Sequence, residues 1–391
     1  MKSNFPSINS VFPLLPSSDK KTLIFDIETN GLYDEVNEIF CIVIHDVHAN
    51  ETTSYGPHGI VDALIHLDTA DYLIGHNIIF YDVPVIEKLK FGSVDFEDKV
   101  LIDTLVCARL LWPKEKLYEV DQTEYQHVPT NLMGSFSLEA FGHRFKNYKL
   151  EFKNFNEYTK EMLIYCEADV GVTRSLYGLL CDQTYIPEAS LELEHTLARC
   201  VEKQIRSGFQ FDVDGALALV DELESRKDEL NQELQEAFPP VDEGKWFVPK
   251  VNNKAKGYVA GEKIWKEKLV PFNPASRQQI YQRLRDKYGW IPQEKTEKGN
   301  PIVNDEVLEQ LPFPEAKPLS EYMLLSKRLG QIKYGSNAWL KLVKPDGCIH
   351  GDLITNGCIT GRARHRNPPM AQIPAVYSPY AQRCGALCHY A

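Results

Sequence analysis

Lys21–Leu32 reads KTLIFDIETNGL, and the reading of this stretch decides the fold. Lys21–Ile27 is a nearly continuous apolar run, the pattern of a strand buried on both faces. Asp26 and Glu28 stand at the end of that run. Period-2 alternation puts both side chains on the same side of the sheet. Two adjacent carboxylates on a core strand repel each other and are costly to desolvate. A divalent cation between them removes that cost. The plainer alternative is a strand that ends here with its acids in water.

Outward from this strand, Ile39–Ile44 (IFCIVI) predicts a second one, and Asn50 with the Thr/Ser run after it predicts a hairpin back through Ser54–Tyr55. Tyr72–Ile74 is a further candidate strand leading into a GHN turn. Pro84 suits a helix start, with Val85, Ile86 and Leu89 on one face. Asp82, just ahead of Val83-Pro84, reads either as a helix N-cap or as a functional acid. Tyr165 and Asp169 fall one turn apart on a helix expected from near Asn156. Asp169 sits among Ala168, Val170, Val172 and Leu176, an apolar setting for a charge unless Arg174 balances it. Mutual burial of Asp26, Glu28, Asp82 and Asp169 makes sense only around metal. Hard oxygen ligands imply Mg2+ or Mn2+, not zinc. Strands alternating with helices indicate an α/β domain up to about residue 185.

After Pro187 the texture changes. Leu191–Gly208 and Gly215–Phe238 are charged and helical in period, and Pro239 ends the second. Residues 240–271 read as a loop or small insertion. Helical patterns return at Ser276–Tyr288 and Leu319–Leu342, and a hairpin is expected over Ile349–Ile359. Residues 1–20 read as a flexible Pro/Ser-rich arm, with Pro6, Pro13 and Pro16 against a signal helix.

The length of 391 residues suggests two to three domains, and 43 % hydrophobic with 25 % charged residues fits a globular chain. A net charge of −12 alone argues weakly against nucleic acid, but residues 331–391 carry seven Lys/Arg against two acids, a basic island. The nine cysteines show no CxxC pair, so scattered reduced thiols are expected, and no stretch is long enough to span a bilayer.

FDIETNGL (Phe25–Leu32), HNIIFYDVP (His76–Pro84) and YCEAD (Tyr165–Asp169) resemble the three exonuclease motifs of the DEDDy class, which has a ribonuclease-H-like fold. IDTL (Ile102–Leu105) and SLEAFGHRF (Ser137–Phe145) resemble segments between the second and third motifs in the replicative family A DNA polymerases of short-tailed phages. Leu193–Asp214 resembles the start of their polymerase domain. FNPASRQQI (Phe272–Ile280), Lys298–Leu311 and TGRARHRNPPMAQIP (Thr360–Pro374) resemble elements of the thumb and its junction with the palm. Pro369 stands where the family pattern commonly has Asn.

The resemblance implies an exonuclease domain over 21–186 and an incomplete, mainly α polymerase domain over 187–391. It implies two ions, with Asp26, Glu28 and Asp169 on the first, Asp26 shared, and Asp82 anchoring the second. Tyr165 would orient the attacking water. Asn77, Arg362, Arg364 and Arg366 would meet DNA; a packing role for Asn77 and a solvated basic turn for the arginines are the plain alternatives. Asp103 reads as a supporting or structural acid.

The expected activity is 3′→5′ removal of deoxynucleotides, as proofreading in phage DNA replication in the cytoplasm of the infected host. The expected partners are a single-stranded 3′ end and a primer-template. Residues 239–271 are short where some relatives carry a thioredoxin-binding insertion, so no thioredoxin partner is expected. The palm's catalytic acids would fall beyond residue 391, so no polymerase activity is expected of this chain by itself. Two alternatives are a subunit of a split polymerase with a separate palm-and-fingers chain and a non-catalytic DNA-binding scaffold. An RNA-trimming exonuclease is a third. Without a palm to pack on, Tyr322, Leu324, Leu325, Leu329 and Trp339 are expected to be partly exposed.

Overall fold

Alternation along β1 sorts the first half of the chain into layers. The computed structural model describes residues 16, 19–89, 94–147, 152, 154–183, 187–292, 294–296, 299, 301–368, 373–374 and 377–389. Its first elements are β1 (Thr22–Thr29), β2 (Ile39–Asp46), β3 (Glu51–Tyr55), α1 (Ile60–Asp68), β4 (Tyr72–Gly75), α2 (Asp82–Lys88) and β5 (Val100–Asp103). There follow α3 (Thr104–Leu111), α4 (Lys114–Thr123), α5 (Leu138–Phe145), α6 (Lys160–Gln183) and α7 (Glu188–Ser207).

The sheet order is β3-β2-β1-β4-β5, with β1, β2 and β3 antiparallel and β4 and β5 parallel to β1. Leu23, Phe25 and Ile27 pack on one face with Ala63, Leu64 and Leu67 of α1. Ile24 packs on the other with Cys41, Val43 and with Met162, Cys166 and Val170 of α6. Asp26 and Glu28 are in phase with Ile24, so the pleat turns them toward α6. The layer is a dense core: Phe25 is fully buried, and its truncation to Ala would cost about 3–5 kcal/mol.

The chain divides into two compact units. The first runs to residue 208 and takes back residues 351–369. Residues 187–208, assigned by sequence to the polymerase half, pack here instead. Ala198 of α7 lies with Ile79 and Val106, and Arg206 donates to the Phe80 carbonyl at 2.7 Å while covering the Tyr33 ring at 3.3 Å. α6 starts at Lys160 rather than near Asn156, because the Thr159 hydroxyl caps it by accepting from the Met162 N–H at 3.1 Å. The hairpin expected within Ile349–Ile359 is also different. Asp352–Ile354 pairs with Arg364–Arg366, whereas Cys348–Ile349 pairs with Phe209–Gln210 in the second unit.

The second unit is mainly helical, built on α8 (Val213–Ala237), α9 (Arg277–Tyr288), α10 (Asp305–Glu309) and α11 (Ala316–Leu329). Two short strand pairs, 241–242 with 269–270 and 245–247 with 264–266, occupy the stretch read as a loop or small insertion. The single long helix expected over Leu319–Leu342 is broken by a π-turn at Gly330–Tyr334; the Gly335 N–H then bonds the Gly330 carbonyl at 2.9 Å. The expected exposed apolar face is not there. Tyr322, Leu325, Leu329 and Trp339 are buried with Leu219, Val220 and Leu223 of α8, and Leu324 is half-buried. Residues 1–15, 17 and 18 of the expected arm, and Pro369, lie outside the described residues. No helix among the described residues is long and apolar enough to cross a membrane.

Candidate active site

Asp26 and Glu28 sit where β1 leaves its hydrogen-bonded register, opposite Val43 and Cys41 of β2, with an irregularity between Glu28 and Thr29. Glu28 is buried and Asp26 is half-buried. One α6 side chain meets them. The Cys166 thiol lies 3.4 Å from Asp26 Oδ2 and 3.5 Å from the Asp26 carbonyl. Among the described residues, Asp26, Glu28 and Cys166 form the group whose possible ligand atoms all converge within 4.8 Å. Burial, a bond to Cys41 and the nearby Asp26 and Glu28 charges hold that thiol well above its ordinary range, so it is a neutral neighbour.

Asp82 reaches the same place from the first position of α2, just past a turn. Its Oδ1 accepts the Ile27 N–H at 3.2 Å, between the two β1 acids. Burial and the Asp26 charge push its carboxyl well above the usual range. A cation would reverse that electrostatic cost.

Asp103 shapes the turn. Its carboxylate accepts three backbone N–H groups, from Asn77 at 2.8 Å, Ile79 at 3.1 Å and Leu105 at 2.9 Å. Asn77 thereby holds a left-handed φ of 67°. Gly75 is required just before it, since a Cβ there would stand 2.1 Å from Ile78 and 2.9 Å from the Phe25 carbonyl. Thr104 donates to the Gly75 carbonyl at 3.1 Å, so His76 Nδ1, 2.8 Å away, must donate to Thr104. Behind Asp103 stands His195 of α7. Its Nε2 accepts the Asp103 N–H at 2.9 Å and its Nδ1 donates to the Leu191 carbonyl at 2.8 Å. Burial holds this imidazole below its ordinary range and therefore neutral.

Tyr165 and Asp169 share one face of α6, and both are buried. Tyr165 is wedged against Phe152 and Phe155, with ring centroids at 5.7 and 6.1 Å.

A cavity of about 1030 Å³ gathers Asp26, Glu28, Asp82, Tyr165, Asp169 and Asn77 into one lining. Gly134–Leu138 lines it as well. That segment is held by a buried pair in which Arg144 donates twice to Asp121, at 2.8 Å each, while Asp121 accepts the Gly134 N–H at 2.7 Å. Of the three arginines expected at DNA, Arg364 and Arg366 line the cavity, and Arg362 is exposed outside its lining. Sequence reasoning missed Arg109, Cys166 and the Asp121–Arg144 pair.

Residues 23–181 match the RNase H superfamily, in agreement with the five-stranded sheet and its flanking helices. This half of the chain is an RNase H-like domain. Residues 251–385 match DNA polymerase family A. Two relatives are the DNA-directed DNA polymerases of Escherichia phage T7, at 32 % identity, and Enterobacteria phage T3, at 33 %. Each match covers 93 % of this chain and 64 % of the relative. The chain is thus similar to phage family A DNA polymerases, with the RNase H superfamily match ahead of the family A match, and spans just under two thirds of these relatives. A solved structure titled "POL domain of Pol1 from M. smegmatis complex with DNA primer-template and dNTP" shares the fold. The TM-score is 0.63 at 15 % identity, over 95 % of this chain and 55 % of that one.

Proposed function

We propose that the RNase H-like domain is a divalent-metal-dependent 3′→5′ exonuclease acting on DNA ends, used for proofreading in phage DNA replication. The observation that supports it most is the lining of one cavity by Asp26, Glu28, Asp82 and Asp169, three of them buried. Acids lining one cavity, most of them buried, suit a hard cation, and the oxygen donors fit Mg2+ or Mn2+. Asp26, Glu28 and Asp169 would hold one ion, and Asp82, with Asp26 shared, a second. Bound there, the ions would supply a hydroxide at neutral pH and positive charge beside the departing 3′-oxygen.

The chain's own residues do the rest. Asp82, fixed on the Ile27 N–H, is kept from swinging away. Tyr165, wedged by Phe152 and Phe155, presents its hydroxyl from a fixed ring and would orient the attacking water. Phe136 and Phe155, half-buried in the lining, offer surfaces for unpaired bases, which suits binding without sequence preference.

Labelled single-stranded DNA and RNA, digested side by side with Mg2+ and with a chelator, test the reading. Stepwise shortening of DNA from its 3′ end, abolished by chelation, is expected. Faster digestion of RNA would turn the proposal toward an RNA-trimming enzyme, and binding without digestion toward a scaffold.

A further inference from the structure

The carboxylate cavity has a cationic side that its proposed chemistry leaves unexplained. Arg109 projects into it from α3, and Arg364 and Arg366 enter from the hairpin of residues 352–366. Arg109 is half-buried and makes no hydrogen bond or ion pair with a described residue. A guanidinium cannot shed its proton at working pH, so a partly desolvated one without a partner is a cost the fold carries. Asp103 is the acid whose charge acts most strongly on it, but that carboxylate already accepts three N–H groups. Asp352 is bonded to Arg366. Burial weakens the hold of Arg109 on its proton, and the Arg366 and Arg364 charges weaken it further. Like charges gathered in a concave site, with their acids already engaged, want an anion.

We infer that Arg109 and Arg364 form a subsite for an internucleotide phosphate of the DNA strand whose 3′ end lies among the carboxylates. This rests on the exonuclease reading and deepens it. Guanidinium forks bind phosphate in two-point fashion, and such contacts position a strand without reading its bases. The hairpin lies within the segment that matches DNA polymerase family A, yet its arginines line the cavity of the RNase H-like domain. The strand grip of the exonuclease therefore includes a segment far along the chain from its acids.

Two substrates separate grip from chemistry. A single-stranded oligothymidylate has upstream phosphates; the p-nitrophenyl ester of thymidine 5′-monophosphate has none. Arg109→Gln and Arg364→Gln are each expected to raise KM on the oligonucleotide about 10- to 100-fold, the size of a charge-assisted contact. The loss on the oligonucleotide should exceed that on the ester by at least about tenfold. The dependence of log KM on log salt should flatten by about 0.7 per arginine removed. Arg109→Lys should recover part of the KM. Arg364 is exposed on the hairpin, so its variant carries the test even where Arg109→Gln misfolds by circular dichroism. Unchanged KM and salt slope, or equal losses on both substrates, overturns the inference. A parent protein that cleaves neither substrate overturns the exonuclease reading and the inference with it.

Discussion

The acidic and cationic parts of the cavity lining are made in opposite ways. Asp26 and Glu28 belong to a central strand, Asp82 is bonded to that strand, and Asp169 is locked on a helix packed against it. Arg364 and Arg366 stand exposed on a hairpin with three residues in each strand. Charge placed in a rigid core can hold a small ion to a few tenths of an ångström. Charge on a slender hairpin can follow a flexible polymer. On the proposed reading, the stiff core would serve chemistry that needs fixed distances, and the exposed hairpin would meet the strand.

That contrast can be broken first at its stiff end. Asp26→Ala should reduce DNA digestion in Mg2+ by roughly 10⁴-fold or more, because nucleophile generation is lost outright. The secondary structure by circular dichroism should remain, since the substitution relieves repulsion. Retention of most activity would remove Asp26 from the site. Asp121→Ala should leave the Arg144 guanidinium buried and uncompensated, lowering stability by about 3–5 kcal/mol in denaturant titrations. A loss below about 1 kcal/mol would show that water replaces the pair. Tyr165→Phe should slow digestion by about 10- to 1000-fold, the scale of a proton-handling group. A loss as complete as that of Asp26→Ala would give Tyr165 a ligand or structural role.

The smallest effect concerns acidity. His195 is neutral in the folded protein, with its proton affinity held below the ordinary value of 6.5. The unfolded chain binds the proton first as pH falls below that value, so folding stability conferred by His195 is present above it and lost on acidification. His195→Gln, whose carbonyl can still accept the Asp103 N–H, should flatten the fall in unfolding midpoint between neutral pH and mildly acidic pH. Parallel curves for parent and variant would show that other groups govern that window.

Much of the acidic side was legible in the sequence, because it is local. An apolar run with two acids in phase announces a core strand, and the four-residue spacing of Tyr165 and Asp169 announces one helix face. What could not be read depends on how distant segments meet. Cys166 looks like an ordinary core thiol until α6 is laid on β1. Arg109 looks like one more charge on a short helix. Asp121 and Arg144 are 23 residues apart and come together only around Gly134–Ser135. The pairing of Asp352–Ile354 with Arg364–Arg366 spans a longer loop than the hairpin expected over Ile349–Ile359. Tyr322, Leu325, Leu329 and Trp339, expected to be partly exposed, are covered by α8, whose apolar positions show in the sequence only as helix period.

The return of residues 351–369 to the first unit has a consequence for birth on the ribosome. Asp169 emerges roughly 200 residues ahead of Arg366, a lag of about 10–40 s at ~5–20 residues per second. The sheet and α6 lie wholly ahead of the hairpin in the chain, so they can pack before it emerges, although α6 meets β1 across 140 residues. The hairpin must then find a surface that has already folded. The RNase H-like half is thus a scaffold awaiting a late guest: Arg109 is in the chain early, but Arg364 and Arg366 join the cavity lining only after most of the second unit has been synthesised.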